Sequence, residues 1–451
     1  MALTEADLRE IPEDGIDPEN PAQYQALLAD LQGNILKGHG REHSVHLFLQ
    51  FKPAQMGTVK QWIQQFAHTY VTSAKQQAKE ALQYQQAGVP GPVFANFFLS
   101  RRGYEYLEIE PFQIPSDQPF RMGMSHDEIR SALNDPKPET WEEGFQHEIH
   151  ALVLMADDDV VALTQTVNQM IRDLQQVAEI LHREDGFVLR NGAGQAIEHF
   201  GFVDGISQPL FLKRDIAKAQ INGCDFNQWD PRASLDIILV KDPNGRTDDS
   251  YGSYAVYRKL EQNVKAFRQD QRKLAETLSI NDDLAGALVV GRFYDGTPVS
   301  DSDIPLDAAT PTNNFNYDAD PQASKCPFHT HIRKANPRGD TGRVESSPGF
   351  DDALAVEKKH RIARRAISYG ENDVKQEPTA GSGLLFLCFQ SDIENQFNFM
   401  QSRWCNAPNF VQVNVGTDPL VGQRGNQPEQ PQKWPPKWGE SETVDYAFEL
   451  W

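Results

Sequence analysis

Three strings in the chain gather side chains able to move a proton, hold a metal or stabilise charge. The first, His199-Phe200-Gly201-Phe202-Val203-Asp204-Gly205-Ile206-Ser207-Gln208-Pro209, sets an aspartate between two glycines among apolar neighbours. Glycine lets the backbone bend sharply and approach a ligand closely. A carboxylate among Phe200, Phe202, Val203 and Ile206 is costly unless it is used or paired. The same spacing also suits a tight turn whose aspartate caps a neighbouring amide.

The second string, Cys326-Pro327-Phe328-His329-Thr330-His331-Ile332-Arg333-Lys334-Ala335-Asn336-Pro337-Arg338, places two imidazoles two residues apart among cations and turn residues. A solvated basic loop would have this composition. Zinc needs three or four convergent ligands, and no further Cys or His pair stands at finger spacing here. Haem iron needs only one neutral imidazole, with nearby cations available to its carboxylates. The third string, His360-Arg361-Ile362-Ala363-Arg364-Arg365-Ala366-Ile367-Ser368-Tyr369-Gly370, is either a solvated turn or a place where one arginine is held inward. An inward arginine supplies positive charge where negative charge develops, without losing its proton.

These strings need a scaffold. Val45, Leu47, Leu49 and Phe51 alternate with polar or aromatic residues, the period of a strand with one buried face, and Val59, Trp62, Ile63, Phe66 and Tyr70 follow at helical spacing. A polar helical stretch runs on to about Gln86, before the apolar segment Val93–Leu99. The unit recurs: Ile149 to Met155 lead into a helix opened by Asp157-Asp158-Asp159 and carrying Val160, Leu163, Val167, Met170, Leu174, Val177 and Leu181. Tyr254–Tyr257 precede Leu260, Val264, Phe267, Leu274 and Leu278. Leu384–Phe389 precede Ser391-Asp392-Ile393-Glu394, which has the pattern of a capping box. Four strand-then-helix units predict an α+β fold of two related domains, antiparallel sheets covered by helices. The expected division is an irregular arm over residues 1–30, a first domain over 31–220 and a second over 221–451. The Pro-, Asp- and Asn-rich stretch from Gly296 to Arg361 reads as a long functional loop.

The 43 basic and 64 acidic side chains leave a net charge of -21, which repels nucleic acid. No apolar run reaches the roughly 18 residues of a membrane helix, and the N-terminal segment lacks the pattern of a secretory signal. Cys224, Cys326, Cys388 and Cys405 are scattered as reduced thiols would be. A cytoplasmic protein binding neither membrane nor nucleic acid is expected.

Taken in chain order, the three strings resemble the dye-decolorizing peroxidase family, nearest to its longer members. Gly201 to Gly205, continuing through Ile206-Ser207-Gln208-Pro209, is similar to the family's Gly-x-x-Asp-Gly signature; His331 followed by Ile-Arg-Lys and Asn-Pro-Arg resembles its proximal segment; Arg364 is the first of the paired arginines in its distal segment. Leu31-Gln32-Gly33-Asn34-Ile35-Leu36 and Gly383-Leu384-Leu385-Phe386 extend the likeness, which runs from about residue 31 to the end.

The resemblance implies two ferredoxin-like domains, with one haem (heme b) per chain held mainly by the second. It implies His331 as the iron ligand, Asp204 and Arg364 as the catalytic pair, and Ile206, Arg333, Leu384, Phe386 and Asp418 around the cofactor. Asp418, in Gly416-Thr417-Asp418-Pro419-Leu420, would hydrogen-bond the proximal imidazole, although an Asp-Pro turn reads the same way. The implied partners are hydrogen peroxide and small aromatic reductants such as dyes and phenols, with room for a homo-oligomer. His329 stands where a small residue is expected, and the separation of His331 from Arg364 implies an inserted loop. Two rival readings remain: a haem-binding or haem-trafficking protein without turnover, and a structural metal protein using Cys326, His329 and His331.

Overall fold

The first half runs β1 (His43–Phe51), α1 (Met56–Thr69), α2 (Ala74–Ala87), β2 (Phe94–Leu99), β3 (Ala151–Asp157), α3 (Val160–Leu174) and β4 (Ala178–Phe187). The computed structural model describes residues 3–11, 13–20, 24–221, 225–308, 310–344, 349–425 and 431–448. Strands β4-β1-β3-β2 lie side by side and antiparallel, Leu47 opposite Val153 on one flank and Arg183 on the other. That order is the ferredoxin-like one. Val45, Leu47, Leu49 and Phe51 pack with Val59 and Phe66 of α1 and with Leu163, Val167 and Met170 of α3. Each such side chain fully removed from water contributes about 1.5–3 kcal/mol.

Three local expectations are corrected. The polar helix does not run unbroken to Gln86: Ser73 starts α2, its side chain accepting the Gln76 N–H. Helix α3 is opened by Asp159, whose carboxylate accepts from Val161 and Ala162, but it ends at Leu174, and Leu181 lies on β4. Pairing with β1 along residues 178–187 overrides the helical spacing there. Among the described residues of the expected irregular arm, helices Glu5–Arg9 and Gln25–Asp30 form and Leu27 and Leu28 are buried in the core.

The second half runs β5 (Tyr254–Glu261), α4 (Val264–Leu278), α5 (Asp282–Val290), α6 (His331–Ala335), α7 (Phe350–Lys358), β6 (Ala363–Arg364), β7 (Ile367–Tyr369) and β8 (Gly383–Gln390). Strand β8 pairs with β5 on one side and with β6 and β7 on the other, keeping the inner part of the same order. The two sheets join through Ser368 opposite Phe187. They also face one another: Tyr257 of β5 meets His46 and Phe48 of β1 edge-on, with ring centroids 5.6 and 5.0 Å away. Strand β1 is therefore buried on both faces, not one, and the sheets close into an α+β barrel with helices outside. After β8 the chain forms π-helical turns over Glu394–Asn398 and Met400–Cys405. The expected capping box is replaced: Asp392 accepts the Asn395 N–H, and the Gln396 carboxamide oxygen accepts those of Ser391 and Asp392.

The described residues between Gly296 and Arg361 surround buried charge and include α6 and α7, so this is not a structureless loop. Among the described residues no helix is long and apolar enough to cross a membrane.

Candidate active site

Strand alternation separates the two adjacent arginines. Arg364 lies opposite Cys388 of β8, on the face that also presents Leu384 and Phe386. Arg365 points to the other face, where it donates to the carbonyls of Asn34 and Ile35 at 2.6 and 2.8 Å. Leu384 and Phe386 are half-buried on a strand whose other residues are buried.

Arg364 Nη1 lies 3.3 Å from Asp204 Oδ1, each side chain about a third exposed (31% and 32%). A pair this exposed stabilises a fold by only ~0.2–1 kcal/mol, so stability does not explain its conjunction across the sheet. The turn presenting Asp204 needs its glycines: Gly201 and Gly205 have φ of 93° and 78°, values that L side chains rarely adopt. Gly205 N–H donates to Asp204 Oδ1 at 2.6 Å. Ahead of it, Glu198 accepts from the N–H groups of Phe200 and Phe202 at 2.7 and 3.0 Å and from the Gln262 carboxamide. Burial pushes the Glu198 carboxyl up to about 7 against those bonds. Ile206 is half-buried beside Gly296, where an added Cβ would come within 2.9 Å of its Cδ1. Gln208, at the end of the string, accepts the backbone N–H of Arg364 at 3.0 Å.

His331 opens α6 and donates from Nδ1 to Asp418 Oδ2 at 2.8 Å; its ring is 27% exposed and Asp418 is fully buried. The other Asp418 oxygen accepts the N–H groups of Leu420 and Val421. Burial alone would lower the His331 pKa, but the adjoining Asp418 charge and hydrogen bond raise it overall. The charges of Arg364 and Asp204 also reach this imidazole. Asp418 is held below its usual value, burial being outweighed by His331 and the two backbone donors. The alternative imidazole, His329, is buried with its ring 4.2 Å from that of Trp434, and burial pushes it down to about 3.

Two expectations about the second string are corrected. Arg333 does not face a ligand: its fully buried guanidinium pairs with Asp320 and Asp340 and lies over the rings of Tyr317 and Phe328. Two carboxylates and two aromatic faces leave it no surface to offer a haem carboxylate. The rival metal site using Cys326, His329 and His331 does not converge: among the described residues the one group spaced to hold a metal is Glu142, His182 and Glu184. There the Lys259 ammonium already lies 2.8 Å from Glu142 and 2.6 Å from Glu184. A separate apolar crevice lined by Leu28, Leu36, Ala74 and Leu212 contains none of these groups.

The residues present fit a haem. Asp418 occupies Nδ1 of His331 and leaves Nε2 as the ring nitrogen that could ligate an iron. Half-exposed Leu384 and Phe386 form an apolar wall on the same face as Arg364. Gln208 and Glu198 are structural supports of the site that the sequence did not single out; Gln208 lay inside the quoted motif, while nothing local marked Glu198.

Residues 30–189 match the family described as DyP dimeric alpha+beta barrel domain. Residues 348–411 match Dyp-type peroxidase, C-terminal. The chain is 35% identical to the multifunctional dye peroxidase DyP2 of Amycolatopsis sp., over 93% of this chain and 90% of that one. It is 30% identical to dye-decolorizing peroxidase msp1 of Mycetinis scorodonius, over 88% and 76% of the two. The crystal structure of an Anabaena sp. DyP-type peroxidase, AnaPX, superposes with a TM-score of 0.96 at 70% identity, covering 100% of this chain and 95% of that one.

Proposed function

Because the chain belongs to the dye-decolorizing peroxidase family, we propose that Asp204 and Arg364 are its catalytic pair and that His331 would hold the haem through its iron. The protein is a haem peroxidase that reduces hydrogen peroxide and oxidises dyes. The observation carrying the residue assignment is the 3.3 Å contact between Arg364 and Asp204, beside Leu384 and Phe386.

When bound, the haem supplies the redox centre at which peroxide is reduced. The chain's own groups do the rest. Asp204 Oδ1 is engaged by Gly205 and Arg364, so Oδ2 takes a proton from one peroxide oxygen and returns it to the other, which leaves as water. Arg364 keeps its proton and stabilises the negative charge that develops as the O–O bond breaks. Ile206, Leu384 and Phe386 limit the water around that charge, which strengthens its interaction with the guanidinium. Asp418 fixes the His331 tautomer and makes Nε2 a stronger donor.

The same reading includes one heme b per chain, hydrogen peroxide with phenols and similar small aromatic reductants as substrates, and a homo-oligomer. It divides the chain near residue 220, the first part supplying Asp204 and the second His331 and Arg364. It also places the protein in the cytoplasm, supported by Cys326, Cys388 and Cys405 being buried free thiols; Cys224 lies outside the described residues.

The test is a stopped-flow absorbance record of haem-loaded protein mixed with hydrogen peroxide, for wild type, Asp204→Asn, Arg364→Leu and His331→Ala. Wild type reacts fast, the two distal variants react at least about a hundredfold more slowly, and His331→Ala fails to hold haem stably. Wild-type rates in both distal variants would remove the assigned roles.

A further inference from the structure

Lys334 stands three residues beyond His331 on α6 and is completely buried. Its ammonium donates to the carbonyls of Ala407 and Phe410, both at 2.6 Å. A buried charge costs several kcal/mol unless it is well paired, and a methionine of similar length would fill the same space without that cost. The positive charge therefore calls for an explanation other than packing.

Its acceptors supply one. Ala407 and Phe410 belong to the segment running from Cys405 to Asp418. Pro408 accepts the Gly416 N–H at 3.0 Å, and Cys405 accepts the Asp418 N–H at 2.9 Å. Helix α6 and this segment are thus tied twice, once by the hydrogen bond from His331 to Asp418 and once by Lys334. The charges of Lys334 and Asp418 also act on one another across this interior.

We propose that Lys334 is a positioning residue of the proximal side, whose buried ammonium holds the Asp418-bearing segment against α6 and offsets part of the Asp418 charge. The offset limits how strongly Asp418 draws the Nδ1 proton of His331. It thereby keeps the imidazole a moderate electron donor and the iron easier to reduce. The inference rests on His331 being the axial ligand.

The experiment uses haem-loaded wild type, K334M, K334Q, K334R, D418N and the double variant K334M/D418N, at pH 6. Burial pushes Lys334 down to about 7, so wild type keeps its ammonium there. The readouts are the Fe(III)/Fe(II) midpoint potential and the ferrous iron–histidine stretch by resonance Raman. K334M is expected to lower the equilibrium constant for reduction about tenfold, ~59 mV for one electron, and to raise the stretching frequency. K334R restores most of the potential, and on the D418N background the Lys334 substitution changes the constant less than about twofold. Should K334M fail to load, K334Q, which keeps donors for both carbonyls but no charge, is expected to show the same fall. A neutral variant that loads haem at the wild-type potential overturns the proposal, as does an equal shift on the D418N background. An iron–histidine band that is missing from wild type, or that survives His331→Ala, removes the axial assignment itself.

Discussion

The side-chain oxygen of Gln208 accepts the backbone N–H of Arg364 at 3.0 Å, joining the turn that carries Asp204 to the strand that carries Arg364. Asp204 and Arg364 come from opposite halves of the chain, and this bond fixes their separation at the backbone, leaving less to the flexible guanidinium stem. Gln208→Leu removes the acceptor. A net hydrogen bond contributes about 1 kcal/mol, so kcat/KM for hydrogen peroxide should fall about fivefold with haem affinity unchanged. Unaltered kcat/KM in a folded, loaded Gln208→Leu protein would show that the 3.3 Å contact holds Arg364 without help.

Asp418 is fully buried, and its charge is matched by the His331 imidazole and two backbone donors. Asp418→Asn keeps the shape, removes the charge and weakens the basicity of Nε2. Outer partners of this kind are worth 10–100-fold, roughly, in metal affinity. Haem titration of the apoprotein should show a loss in that range, with little change in the rest of the fold. Equal affinity for the two proteins would mean that the carboxylate orients nothing.

Much of this could be read from the chain. Alternation at Val45 to Phe51 and helical spacing at Val59 to Phe66 found β1 and α1, because those side chains meet inside one half. Phe48 and His46 were legible as strand residues but not as buried ones, since their contact with Tyr257 depends on a second sheet some 200 residues away. Leu181 was misplaced on a helix because apolar spacing does not register a neighbouring strand. At the candidate site, the strings marked Asp204 and Arg364, which the structure brings within 3.3 Å of one another, and His331, which it bonds to Asp418. Arg333 was misread: a cation beside a candidate ligand suggests an anion partner, and only the fold shows that the partners are Asp320 and Asp340.

That correction has its own test. If Arg333 neutralises two buried carboxylates, Arg333→Met leaves Asp320 without its guanidinium partner and Asp340 with Arg343 alone. Breaking a buried pair in this way costs about 3–5 kcal/mol, and the apoprotein should unfold at markedly lower denaturant. A residue serving a haem carboxylate would behave differently, weakening haem binding while apoprotein stability stayed put. Comparing urea midpoints of the two apoproteins separates these outcomes.

Glu198 links the distal turn to pH. Its folded pKa of about 7 lies above the ~4.3 of an unfolded glutamate, so the native chain binds this proton more tightly than the unfolded one does. The resulting stabilisation is fully present below the unfolded value and is lost as pH rises through about 7. Urea midpoints of the apoprotein measured from pH 5 to pH 8 should therefore decline, and Glu198→Gln, which cannot ionise, should remove that part of the slope. Parallel profiles for the two proteins would mean that Glu198 does not titrate in this range. Since its carboxyl grips the N–H groups of Phe200 and Phe202 just before Asp204, the same ionisation bears on how firmly that aspartate is presented. Bonds to those two donors strengthen when Glu198 is charged, while burial disfavours the charge. Turn order and global stability should thus move in opposite directions across pH 7, and amide hydrogen exchange at Phe200 and Phe202, set against the urea midpoints, reads both. Exchange that quickens together with falling stability above pH 7 would place the burial penalty, and not the hydrogen bonds, in control of the turn.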